Sequence, residues 1–206
     1  MMKKVLIIFV IFVFNLFGKI ENKGLLKIND KIITTYDLNI SYVLDKMSKG
    51  NIPALSELDK VDMFKQLKLN LDYYLVFEEL EKLKITQPEI AEECTQAWNK
   101  LVLAFDSIEK LRFGLLNLNI DTVDLKKAFF NTAAVNRYLE KRIQSHVSVS
   151  DDEILYFIEK SKIKAKDITN DDRKKIIKEI KKQKSMQRYK EYISYLNRKA
   201  KITILR

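Results

Sequence analysis

The last ten residues, NRKAKITILR, constrain the fold more than any other stretch. A long basic segment of helical periodicity gives way there to Ile202, Thr203, Ile204 and Leu205, a β-branched and apolar run without Gly or Pro. An unpaired strand exposes backbone donors and acceptors together with apolar side chains, so this one needs a partner. The rest of the chain offers few. Only four Gly and two Pro punctuate 206 residues, which favours long helices over many short strands. The one clear hairpin signal is LLKINDKIITTYDL, where apolar residues alternate on either side of Asn29-Asp30. Strands near Leu25–Ile28 and Lys31–Thr34 are expected, and the terminal strand joins them most economically in a three-stranded sheet. The fold expected is mainly α: a helical core whose small β-sheet is made by the N-terminal hairpin and the C-terminal strand.

Between the two ends, helix signals follow one another. Thr35 is read as the cap of a helix running to about Met47 and stopped by Lys49-Gly50-Asn51-Ile52-Pro53. From Ser56, apolar residues recur at three- and four-residue steps through Leu83. Thr86, Pro88 and Glu89 form the capping grammar of the next helix, which should carry Ile90, Trp98, Leu101 and Phe105. Asp106 or Ser107 caps a shorter helix to about Asn117, and Asp121 or Thr122 opens a long one to roughly Ser145. Ser150 with Glu153 repeats the capping-box pattern, and residues 162–170 form a thin connector. A final helix over about 171–199 shows Ile177, Ile180, Tyr189, Tyr192, Ile193, Leu196 and Ala200 on its apolar side.

The N-terminus carries Lys3 and Lys4 ahead of an apolar run from Val5 to Phe17. That run has signal-peptide length and falls short of the roughly 20 residues a membrane-spanning helix needs. Residues 1–18 are expected to be a secretory signal cut after Gly18, or an inner-membrane anchor if they are kept. Residues 19–206 then form a periplasmic domain, soluble after cleavage or tethered to the inner membrane. Cys94 stands alone and His146 is the one histidine, which removes an internal disulfide and His–His or cysteine-cluster metal sites. His146 is read as a helix-end residue, and no cofactor is expected.

The order of these elements resembles the chaperone core of the SurA family of periplasmic proteins. KINDKIITTYDL looks like the family's hairpin and first helix cap, and LKLNLDYYLVFEELEKLKITQPEI like its long helix and the step that follows. FDSIEKLRFGLLNLNIDTVDLKK is similar to its short helix and turn, LEKRIQSHVSVSDDEI to its junction, and KQKSMQRYKEYISYLNRKAKITIL to its returning helix and strand. The family usually inserts one or more parvulin domains where this chain has its short connector, so prolyl isomerisation is not implied. The resemblance implies a non-catalytic holdase that binds unfolded outer-membrane or other exported polypeptides on apolar surface between helices. Trp98, Leu101, Phe105, Phe113, Leu116, Tyr156 and Phe157 are the candidate client-binding residues, with Trp98 expected at a rim because polar residues surround it in sequence.

Charge is placed unevenly. Residues 160–206 hold 17 basic and 5 acidic side chains, whereas residues 1–159 are close to balance. Arg173, Lys174, Lys175, Lys178, Lys181, Lys182, Lys184 and Arg188 form a stripe open to three readings. It is a solvated helix face, an attraction for anionic phospholipid or acidic client segments, or a nucleic-acid surface. The export signal speaks against nucleic acid. Two other functions stay open beside the holdase: a membrane-anchored adaptor docking one folded envelope partner, and a basic nucleic-acid-binding helical protein. The acidic groups Glu78-Glu79-Glu81 and Asp151-Asp152-Glu153 read as helix-surface charge and as acid at a helix N-terminus, where the dipole favours it.

Overall fold

Alternation along the hairpin decides which side of it becomes core. Leu26, Ile28 and Ile33 are buried, whereas Ile32 is exposed. The computed structural model describes residues 22–83, 91–145, 147–161 and 169–205. Strand β1 (Gly24–Ile28) lies at the centre of an antiparallel sheet in the order β2-β1-β3, with β2 at Lys31–Thr34 and β3 at Ile202–Ile204. Leu26 faces Ile33 on one side and Ile204 on the other, and Ile28 faces Lys31 and Ile202. The terminal strand therefore completes the hairpin, as its composition requires. The tie extends beyond the ladder. The Asn29 backbone N–H donates to the Lys201 carbonyl at 2.8 Å, and the Lys201 N–H donates to Asn29 Oδ1 at 2.9 Å. Asn29 sits at φ 53°, in the left-handed region that Asn tolerates better than most residues. Gly24 matters through space alone: a Cβ there would come within 3.0 Å of Leu205 Cδ1.

The helices begin where side chains can take up the free N–H groups of a first turn. Helix α1 (Thr35–Ser48) is capped by Thr34 rather than Thr35, because Asp37 three residues on closes the reciprocal box with the Thr34 N–H at 2.8 Å. Thr35 is thereby the first helical residue. The long helix expected from Ser56 is two helices: a single turn, α2 (Leu55–Leu58), and α3 (Met63–Lys82). Asp62 causes the break, since its carboxylate accepts from the Lys65 N–H at 3.0 Å and starts a new helix there. Helix α4 (Ala91–Leu103) stops before Phe105, which lies in the turn leading to Asp106 at φ 69°. Ser107 caps α5 (Ile108–Leu116), and Asp121 caps α6 (Thr122–Leu139), which continues into a wider π turn over Glu140–Gln144. Ser150 and Glu153 close the expected box at the start of α7 (Asp151–Lys160), and Thr169 with Asp172 closes another before α8 (Asn170–Lys199). The N-terminal apolar segment expected to be an export signal, the Thr86–Glu89 cap, His146 and most of the connector lie outside the described residues.

Packing divides into three clusters. The first lies beneath the sheet, where Leu26, Ile28 and Ile33 meet Leu75, Val76 and Leu80 of α3 and Tyr192 and Leu196 of α8. The second fills the space among α1, α4, α5 and α6 with Val43, Met47, Trp98, Leu111, Leu115 and Leu125. The third is a satellite: Ile154 and Ile158 of α7 against Ile176 and Ile180 of α8. Helix α8 is thus anchored at its C-terminal half in the main core. Its N-terminal half is held on α7.

Candidate functional site

The division of α8 between two clusters leaves space beside its middle. Two apolar clefts open there and share Asn136, Leu139 and Tyr189. The first, about 480 Å³, is lined by Leu44 of α1, Leu69 and Tyr73 of α3, Leu101 of α4 and Phe129 of α6. The second, about 740 Å³, has Leu139, Ile143, Val147 and Met186 as its apolar lining and Lys178, Lys181 and Lys182 around it. Volumes of this size suit several side chains of a bound polypeptide.

Polar contacts fix the shape of the clefts from behind. The Tyr189 hydroxyl donates to Asp72 Oδ2 at 2.8 Å and ties α8 to α3; burial, then this carboxylate, pushes its pKa up to about 12. The Tyr138 and Tyr192 hydroxyls meet at 3.1 Å, and the Arg142 guanidinium lies 4.5 Å from the centre of the Tyr192 ring. Burial, then the Tyr138 hydroxyl, raises the Tyr192 pKa. Burial likewise pushes Tyr73 up to about 12. The phenols of Tyr73, Tyr189 and Tyr192 therefore stay protonated at neutral pH. Beside their apolar surface, the first cleft is lined by the carboxylates of Asp45 and Asp72, and the second by Glu140 and three lysines.

The candidate client residues separate by location. Phe113, Leu116 and Tyr156 are exposed at 72%, 61% and 65%, with Phe113 and Leu116 on one side of α5 and Tyr156 on α7. Phe157 is half-buried against the satellite cluster, and Leu101 and Phe105 are half-buried against the second. Trp98, expected at a rim, is 4% exposed and belongs to the core. The polar residues around it in sequence occupy the other side of α4, while Cys94 and Trp98, four residues apart, face inward. The Trp98 ring lies 5.6 Å from that of Phe129, so it supports the cleft wall from beneath. Of the seven, Leu101 lines a cleft. The sequence reading missed Leu69 and Met186, both more than half exposed. Their signal is an apolar residue on the polar side of its helix, LKLNLD in α3 and KKQKSMQRYK in α8.

The basic stripe is not uniform. Arg173 pairs with Asp151 at 2.6 Å, Lys174 with Asp171 at 3.3 Å and Lys175 with Asp172 at 3.5 Å. Lys184 reaches Glu153 at 2.6 Å and donates to the Ser148 carbonyl at 2.7 Å. Lys178, Lys181, Lys182 and Arg188 form no ion pair among the described residues. The first three stand over the second cleft, and Arg188 lies with Arg142 beside Ile143 and Tyr192. Among the described residues, no group of three or more His, Cys, Asp or Glu is placed to hold a metal ion, and no helix is long and apolar enough to cross a membrane. No family model and no curated protein matches the chain.

Proposed function

We propose that this protein is a non-catalytic holdase that keeps exported polypeptides, outer-membrane proteins above all, unfolded in transit through the periplasm. The observation that carries the reading is the pair of adjoining apolar clefts along Leu139 and Tyr189, recessed between helices of a body closed by its own two ends. A holdase has to capture apolar side chains weakly and reversibly at several points, and a run of concave apolar surface does this without a reacting group. The resemblance of the chain's hairpin, caps and returning helix to the SurA family supports the same reading. So does the N-terminal apolar segment, which suits export. In this account Leu69, Leu101, Phe129, Leu139 and Met186 touch the client, and Phe113, Leu116 and Tyr156 add exposed apolar contacts outside the clefts.

The purified domain is expected to delay aggregation of a urea-diluted outer-membrane β-barrel protein at equimolar amounts. It is expected to leave the rate of prolyl isomerisation in a test peptide unchanged. Absence of any delay at tenfold excess would overturn the holdase. Tight association with one natively folded envelope protein, without affinity for unfolded chains, would assign the same body to an adaptor.

A further inference from the structure

We infer that the second cleft selects client segments in which apolar side chains are interspersed with carboxylates; the inference rests on the holdase reading and adds a substrate class to it. Its basis is the division of charge along α8. Four cations of the stripe are spent on the protein's own acids or carbonyls: Arg173, Lys174, Lys175 and Lys184. Lys178, Lys181 and Lys182, which surround the cleft, have no such partner among the described residues. Glu140 is the one carboxylate lining the cleft, and Arg137 already holds it at 2.8 Å. The lining therefore carries uncompensated positive charge beside the apolar residues Leu139, Ile143 and Val147. A segment with apolar residues for these three and Asp or Glu for the surrounding lysines complements both features at once.

The shape argues for a polypeptide over a bilayer. Ile143 lines the cleft yet is only 6% exposed, so single side chains reach it and a flat lipid surface does not. The chain's own N-terminal segment is a poor occupant, because Lys3, Lys4 and Lys19 bracket its apolar run and would face the cleft's lysines. Basic or neutral apolar segments lack the second half of the match.

The test compares three labelled peptides with identical apolar and aromatic residues and with Glu, Gln or Lys as spacers, titrated by fluorescence anisotropy. At low ionic strength the Glu peptide is expected to bind about tenfold more tightly than the Gln peptide, the combined scale of several exposed charge contacts. The preference should shrink towards parity near 0.5 M salt, where screening acts over only a few ångströms. Replacing Lys178, Lys181 and Lys182 together by Gln should abolish the preference by bringing the Glu peptide's affinity down to that of the Gln peptide. All three side chains are exposed, so the fold is preserved. Met186→Ser should weaken all three peptides alike. Equal binding of the Glu and Gln peptides would overturn the selectivity and leave the holdase standing, whereas failure of every peptide to bind would overturn both. Binding to phosphatidylglycerol vesicles that depends on the same lysines, without peptide discrimination, would overturn the inference in favour of a lipid surface.

Discussion

Among single residues, Trp98 and Phe113 define opposite limits. Trp98 is the chain's one tryptophan and lies in the second cluster against Phe129, whereas Phe113 projects from α5 into solvent. Trp98→Ala should cost about 3–5 kcal/mol in urea unfolding, because it removes a large buried ring and leaves a cavity behind. Phe113→Ala should change stability by no more than about 0.5 kcal/mol. The intrinsic fluorescence should be blue-shifted and resist quenching by iodide; red-shifted, easily quenched emission would place Trp98 at a surface after all. Helical phase was enough to read Trp98 correctly, since Cys94, Trp98 and Val102 follow one four-residue step, but neighbours in sequence pointed the other way. Leu69 and Met186 were legible only as residues out of phase with their helices. Which of several such residues lines a cleft depends on the packing of helices far apart in the chain, and no local pattern contains that information.

For the elements, capping chemistry made much of the fold readable. Of the alternatives open in the sequence, Ser107 rather than Asp106 and Asp121 rather than Thr122 cap their helices, and the Ser150–Glu153 pair starts its helix as expected, because the interactions involved span two or three residues. The break before α3 was missed for the same reason in reverse: the apolar steps run on through it, and one carboxylate at Asp62 decides the matter. Glu153 shows an element joined to another by charge. The Lys184 side chain first, and the Ser150 backbone N–H next, hold its carboxyl below the ordinary value of 4.5. A depressed folded pKa contributes stability that is present above the unfolded value and is lost as pH falls through the folded one. The α7–α8 pairing should therefore weaken below about pH 4.5, the ordinary glutamate range. Amide exchange over Asp151–Lys160 is expected to be faster in Glu153→Gln than in the unaltered protein at pH 7, at matched intrinsic rates. The difference should shrink as pH falls below that range and vanish once Glu153 is protonated in the folded protein. A difference that persists at the acid end would mean that Glu153 acts through something other than its charge.

At the scale of the whole molecule, the meeting of the two ends aims α8. Tyr192 and Leu196 bury the C-terminal half of that helix beneath the sheet, and β3 then pairs with β1, so the N-terminal half must project past α6 towards α7. The clefts follow from this course, which makes the terminal strand a condition for their shape although it touches neither of them. The sequence disclosed the pairing, because one partner was on offer for one orphan strand. It did not disclose that Asn29 closes it. Asn29→Gly keeps the left-handed turn accessible and removes only the hydrogen bond from Lys201, costing about 1 kcal/mol. Asn29→Ala loses the bond and also puts at φ near 53° a residue that tolerates the left-handed region less well than Asn, for up to about 1 kcal/mol more. Deleting residues 201–206 uncovers one edge of β1, where Leu26 and Ile28 are 3% and 1% exposed, and should destabilise the protein more than either substitution. Urea unfolding should rank the three in that order, and the affinity for any apolar peptide should fall with the deletion at temperatures where α-helical circular dichroism is still retained. Binding that survives the deletion undiminished would separate the clefts from the sheet, and α8 would then owe its course to its packing on α3 and α7 rather than to β3.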